Sequence, residues 1–110
     1  MASFTKLRLS ESASGEPIVV SSSATPGITI HTAQSALDEV YLWVSNVTGG
    51  AVTLTVLMDG VKLCSALSVA ANSAPIALID GALITNSKLI TAYASAINSL
   101  HITGYVNRIS

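Results

Sequence analysis

The sequence predicts an all-β fold, a single-domain antiparallel β-sandwich of roughly seven to nine short strands. Three observations predict it. Apolar and polar residues alternate over short runs, as half-buried strands require. Turn signals rich in Gly, Asn, Asp and Ser recur about every 8–12 residues. No stretch of about 11 or more residues carries an apolar stripe at helical spacing. The chain has 110 residues, enough for one core without metal or disulfide staples. Jelly-roll and immunoglobulin-like topologies both fit this strand count.

In chain order, FTKLRL (4–9) reads as a strand, and SESASG (10–15) as a flexible linker by composition. Residues 1–16 are therefore expected to be an N-terminal arm or an edge strand, ahead of a sandwich domain over 17–110. PIVVS and PGITIHT give two short strands, and AQSAL (33–37) a helical turn or loop. DEVYLWVSN (38–46) follows, with Val40, Leu42 and Val44 alternating with Tyr41 and Trp43. Both its faces are apolar, as in a central strand or one that meets a partner.

Asn46-Val47-Thr48-Gly49-Gly50 turns the chain into AVTLTVLMDGVKLCSALSV (51–69). Its Asp59-Gly60 pair is the signature of a two-residue hairpin loop. That loop pairs Met58 with Val61, Val56 with Leu63 and Val52 with Leu67, so residues 40–69 are expected to form a three-stranded meander. AANSA (70–74) is a small-residue loop, PIALI (75–79) a strand closed by an Asp80-Gly81 turn, and KLITAYA (88–94) a strand. LHITGYVN (100–107) closes the fold, and Gly104 within it signals a bulge or a close backbone approach.

Half of the residues are hydrophobic and only 10% are charged, against roughly 25% in ordinary domains. This favours mated surface over solvated surface, hence an oligomer or a component of an assembly. Five Lys and Arg and a net charge of −1 leave no basic patch for nucleic acid. No apolar run approaches the ~20 residues of a membrane helix. The opening MASFTKLRLS lacks a signal-peptide core, which implies synthesis in a cytoplasm. Cys64 is the single cysteine; no internal disulfide can form, and its strand position suits a small packed side chain.

Nothing in the spacing converges on chemistry. Asp59 and Asp80 both read as turn residues. His31 and His101 read as exposed or hydrogen-bonded histidines rather than ligands, since a metal site needs three or four donors. There is no Gly-x-Ser-x-Gly elbow and no Gly-rich phosphate loop. A non-enzymatic protein without cofactor or metal is expected. Tyr41, Trp43, Tyr93 and Tyr105 are the candidate surface aromatics. Tyr41 and Trp43 share a strand face suited to a subunit contact, or alternatively to a sugar.

The run YLWVSNVTGGAVTLTVLMDG (41–60), then LSVAANSAPIALIDGALITNSKLITAYAS (67–95) and LHITGYV (100–106), resembles small virion proteins of tailed bacteriophages. The likeness is one of strand and turn order, and covers about residues 39–107. It implies a capsid decoration, or cement, protein: β-rich, often trimeric, seated on the outer shell and stabilising contacts between major capsid subunits. A tail, neck or head-fibre component is the related option, and a carbohydrate-binding or adhesive module the alternative. On this reading the protein is released by lysis. Phe4, Leu7 and Leu9 would contact the capsid, Tyr41 and Trp43 would mediate self-association as a homotrimer, and deleting residues 2–10 would abolish binding while leaving the fold.

Overall fold

The computed structural model describes residues 4–12 and 14–109; residues 1–3 of the expected arm, Ala13 of the expected linker and Ser110 lie outside them. The strands are β1 (Phe4–Arg8), β2 (Ile18–Val19), β3 (Ile28–Thr32), β4 (Leu37–Asn46), β5 (Val52–Met58), β6 (Val61–Val69), β7 (Ile76–Ile84), β8 (Leu89–Ala94) and β9 (Leu100–Ile109). The described residues contain no helix, and so none long and apolar enough to cross a membrane.

Two antiparallel sheets pack face to face as an all-β sandwich. One has the order β1–β9–β4–β7, with β2 also on β9; the other is β3–β8–β5–β6. β4 takes one edge of β9 along its whole length, so β1 (on residues 105–109) and β2 (on 101–102) share the opposite edge. They are one strand interrupted by residues 9–17. Counted that way, eight strands lie in the orders 1–8–3–6 and 2–7–4–5. That is a jelly roll, and it decides between the two topologies that the strand count allows.

The core follows from the alternation. Val40, Leu42 and Val44 of β4, Ile102 and Val106 of β9, Leu54 and Val56 of β5, and Ile90 and Ala92 of β8 are fully buried between the sheets. Each large aliphatic side chain contributes about 1.5–3 kcal/mol by leaving water. Gly104 lets β9 approach β4: a Cβ there would lie 2.0 Å from the Tyr41 carbonyl oxygen. The close backbone approach expected at Gly104 is thus present.

Several local expectations change in the folded chain. Residues 40–69 are not a meander, because β4 and β5 lie in different sheets and Asn46–Gly50 is the corner between them. The Asp59-Gly60 loop forms with both residues at positive φ (54° and 76°) and pairs Met58 with Val61, the geometry of a type I′ turn. Beyond it the register slips twice. Val56 meets Cys64, not Leu63; Leu54 meets Leu67; and Val52 meets Val69. Two extra residues on β6 are bulged out, one with Ala66 at φ 52°. Ala66 donates its N–H to Thr55 Oγ1 at 3.0 Å, which holds the bulge. Cys64 therefore turns toward the core, while Val61, Leu63 and Leu67 stay exposed on the edge strand.

Asp80-Gly81 is not a turn either. The pair sits within β7 where the register to β4 shifts, with Gly81 at φ 93°, so the strand runs on past it through a bulge. Residues 33–36 are loop, without a helical turn, and Leu37 opens β4.

Of the arm and the edge strand that the sequence left open, residues 4–8 form the edge strand. β1 is hydrogen-bonded along β9, and Leu9 lies in the core at 1% exposure. Ser10 Oγ accepts the Thr32 N–H at 2.8 Å. Deleting residues 2–10 thus removes an edge strand and a core leucine. It destabilises the fold by at least the ~2–5 kcal/mol of a buried Leu→Ala change.

Candidate interaction surface

The register of the first sheet assembles one outward face. Tyr41 lies opposite Tyr105, Trp43 opposite Thr103, and Glu39 opposite Asn107 and Leu83. On the other side of β9, Lys6 lies opposite Asn107, Arg8 opposite Tyr105 and Phe4 opposite Ile109. Directly paired residues point to the same side of a sheet, so Phe4, Tyr41, Trp43, Leu83 and Tyr105 share a face. Phe4 is 72% and Leu83 54% exposed.

The rings form a cluster. Tyr41 and Tyr105 stack with centroids 4.9 Å apart, Trp43 and Tyr105 with centroids 6.0 Å apart. Lys6 Nζ stands 4.7 Å from the Tyr105 ring centre, within reach of a cation–π attraction. The Tyr41 hydroxyl donates to Glu39 Oε1 at 2.5 Å, and Asn107 Nδ2 donates to the same oxygen at 3.4 Å. The bond to Glu39, then burial and the nearby negative charge, push the Tyr41 hydroxyl up to about 12. Each ring stack is worth about 0.5–1.5 kcal/mol beyond its area, so the cluster is pre-ordered. Its polar groups pair with one another.

Tyr41 and Trp43 share the face that their alternation predicts. The structure adds Tyr105 and Lys6, which no local pattern could join to them across 64 and 35 residues of chain. Tyr93 lies on the other sheet. Of the proposed capsid contacts, Phe4 is exposed, Leu7 packs partly against the core, and Leu9 is buried within it. Leu9 cannot serve as a contact, because the chain turns inward after β1.

A second polar cluster sits between the sheets. Asp38 is fully buried and accepts from Arg108 Nε at 2.7 Å and Nη2 at 2.9 Å. His31 Nε2 donates to Asp38 Oδ2 at 2.8 Å, and His31 Nδ1 accepts the Ser10 N–H at 3.0 Å; these partners assign the Nε2–H tautomer. Burial pushes the Asp38 carboxyl up. The hydrogen bonds and charge of Arg108, with the His31 bond, outweigh it and hold the carboxyl below its usual range. The same carboxylate raises Arg108.

This cluster ties β3 to β4 and β9. Both ring nitrogens of His31 are engaged and the ring is 1% exposed. The Ser10 hydroxyl accepts the Thr32 N–H and donates to Glu11 Oε2. His31 is hydrogen-bonded, one of the two states expected of it, and the Asp38 that it meets is also held by Arg108, whose guanidinium repels a cation. Among the described residues no group of three or more His, Cys, Asp and Glu could hold a metal ion.

Neither a protein-family model nor a curated protein matches this chain.

Proposed function

We propose that the protein is a non-enzymatic virion structural protein, a capsid decoration protein that self-associates through the Tyr41–Trp43–Tyr105 face. The observation that carries this reading is that pre-ordered aromatic cluster on a sheet face flanked by exposed Phe4 and Leu83. Aromatic residues framed by a polar rim are what protein interfaces use as anchors. The jelly roll is common in viral capsid domains, though a fold alone does not fix a function. Apolar burial at about 25 cal/mol per Å², repeated over symmetric copies, is how such a clamp stabilises a shell. On this reading Phe4, at the rim of the same sheet, reaches the major capsid protein, and Leu9 drops out of the contact.

The stacking weighs against Tyr105 itself as a sugar platform. Tyr105 uses its ring faces on Tyr41, Trp43 and Lys6, whereas a sugar needs an open face.

The deciding experiment is the absolute mass in solution by light scattering, followed by binding to undecorated shells. The expected result is a trimer that binds, with Trp43→Ala and Tyr105→Ala shifting the mass toward monomer and Phe4→Ala weakening the binding. A wild-type monomer that ignores the shells overturns the reading.

A further inference from the structure

The outer face of the β3–β8–β5–β6 sheet carries a cleft of about 270 Å³. It is just below the ~300 Å³ at which ordinary ligand sites begin. Six hydroxyls line it, from Ser23, Thr53, Thr55, Ser65, Tyr93 and Ser95, with Ala66 and Ala94 completing the wall. No charged side chain lines it. That composition excludes the usual means of holding phosphate, carboxylate or a metal ion.

A row of Ser and Thr on the outside of a sheet is ordinarily a solvated face. Two features make this one concave. The bulge of β6 holds Ser65 and Ala66 away from a regular ladder and is pinned on Thr55. Across the cleft, the loop after β2 folds over the end of β8, where Ser22 accepts the Ala94 N–H at 3.0 Å. Thr55, 5% exposed, and Ala94, 1% exposed, are the most buried of the lining residues.

The hydroxyls are also available. Thr55 Oγ1 and Ser95 Oγ each accept a backbone N–H, from Ala66 and Thr53. Each keeps its own O–H to donate. The side chains of Ser23, Thr53, Ser65 and Tyr93 have no partner among the described residues. Tyr93 is half-buried and adds an aromatic ring beside these groups. Hydroxyls that both donate and accept, beside one ring and without charge, match a neutral polyhydroxylated molecule.

We propose that this cleft binds a neutral sugar of about one ring, with Tyr93 as the stacking surface and Thr53, Thr55 and Ser65 as hydrogen-bonding partners. The proposal is independent of the shell-clamp reading, since it uses the opposite sheet and no part of the aromatic cluster.

The test is an amide-resolved NMR titration of the full chain with the methyl glycosides of glucose, galactose, mannose and N-acetylglucosamine, with glycerol as control. The expected result is saturable shifts at Thr53, Ser65, Tyr93 and Ser95 with at least one sugar and none with glycerol. Tyr93→Ala should weaken binding about tenfold or more. Thr53→Val, which keeps the strand shape, should weaken it by a smaller factor. The proposal is overturned if no glycoside gives saturable shifts, if glycerol gives the same shifts, or if binding survives both substitutions.

Discussion

The two ends of β4 carry the same task and solve it differently. At the start, Asp38 is buried among Arg108 of β9 and His31 of β3. At the finish, Asn46 is 1% exposed and bonds mostly to backbone. Its Nδ2 donates to the Gly50 carbonyl at 2.8 Å and the Val69 carbonyl at 3.1 Å. Its Oδ1 accepts from the Thr48 N–H at 2.9 Å and the Thr48 hydroxyl at 2.7 Å. Each end ties the two sheets together. The first does so through His31 Nε2–H, which reaches from β3 to the Asp38 carboxylate that Arg108 of its own sheet holds ionised, the second with a neutral amide whose partners are mostly nearby. A buried charge stabilises only while it stays paired; a satisfied amide has no such dependence on protonation.

The largest expected effect comes from breaking the charged end. Asp38→Ala leaves the His31 Nε2–H without its acceptor and Arg108 without its counter-charge. It should destabilise by about 3–5 kcal/mol, measured as a lower urea midpoint at pH 7. Asn46→Ala strips partners from two carbonyls and the Thr48 N–H. The expected cost is smaller, about 2–3 kcal/mol, in the same measurement.

A pH series sharpens the contrast. The folded Asp38 carboxyl titrates below its unfolded value of about 3.9. Between the two values the unfolded chain binds more protons than the folded one, so stability rises with pH there. Its contribution is fully present above the unfolded value and is lost as pH falls through the folded one. Wild type should lose stability steeply below about pH 4. Asn46→Ala should run parallel to it, and Asp38→Asn should flatten the slope. Equal slopes for all three would place the acid sensitivity elsewhere.

The smallest effect belongs to the outer face. Tyr41 should ionise at about 12 in an absorbance titration, and Glu39→Gln should bring that step down toward the ordinary tyrosine range, with no change of fold. An unmoved step would mean that the Glu39 bond is not what holds the proton.

These two ends also differ in how far the chain announces them. Asn46-Val47-Thr48-Gly49-Gly50 is legible as a turn because its bonds are mostly local. Its being a corner between sheets is not legible, since a hairpin and a corner use the same residues. The Asp38–Arg108 pair spans 70 residues and leaves no local trace. The aromatic face was half legible. Tyr41 and Trp43 sit two apart on one strand, whereas Tyr105 arrives only through the β4–β9 register. The hydroxyl cleft was illegible, because it depends on a bulge that breaks the alternation on which strand reading relies.

The amino-acid order by itself determined the all-β class, most of the strands and the Asp59-Gly60 hairpin. Side-chain alternation and turn chemistry act between near neighbours, so they can be read along the chain. The tertiary structure alone decided which strands share a sheet, that Asp80-Gly81 is a bulge, that Leu9 belongs to the core, and which polar groups meet. Those outcomes rest on pairing between distant segments. One slipped residue turns a side chain from the core to the solvent, and no local pattern records where the slip occurs.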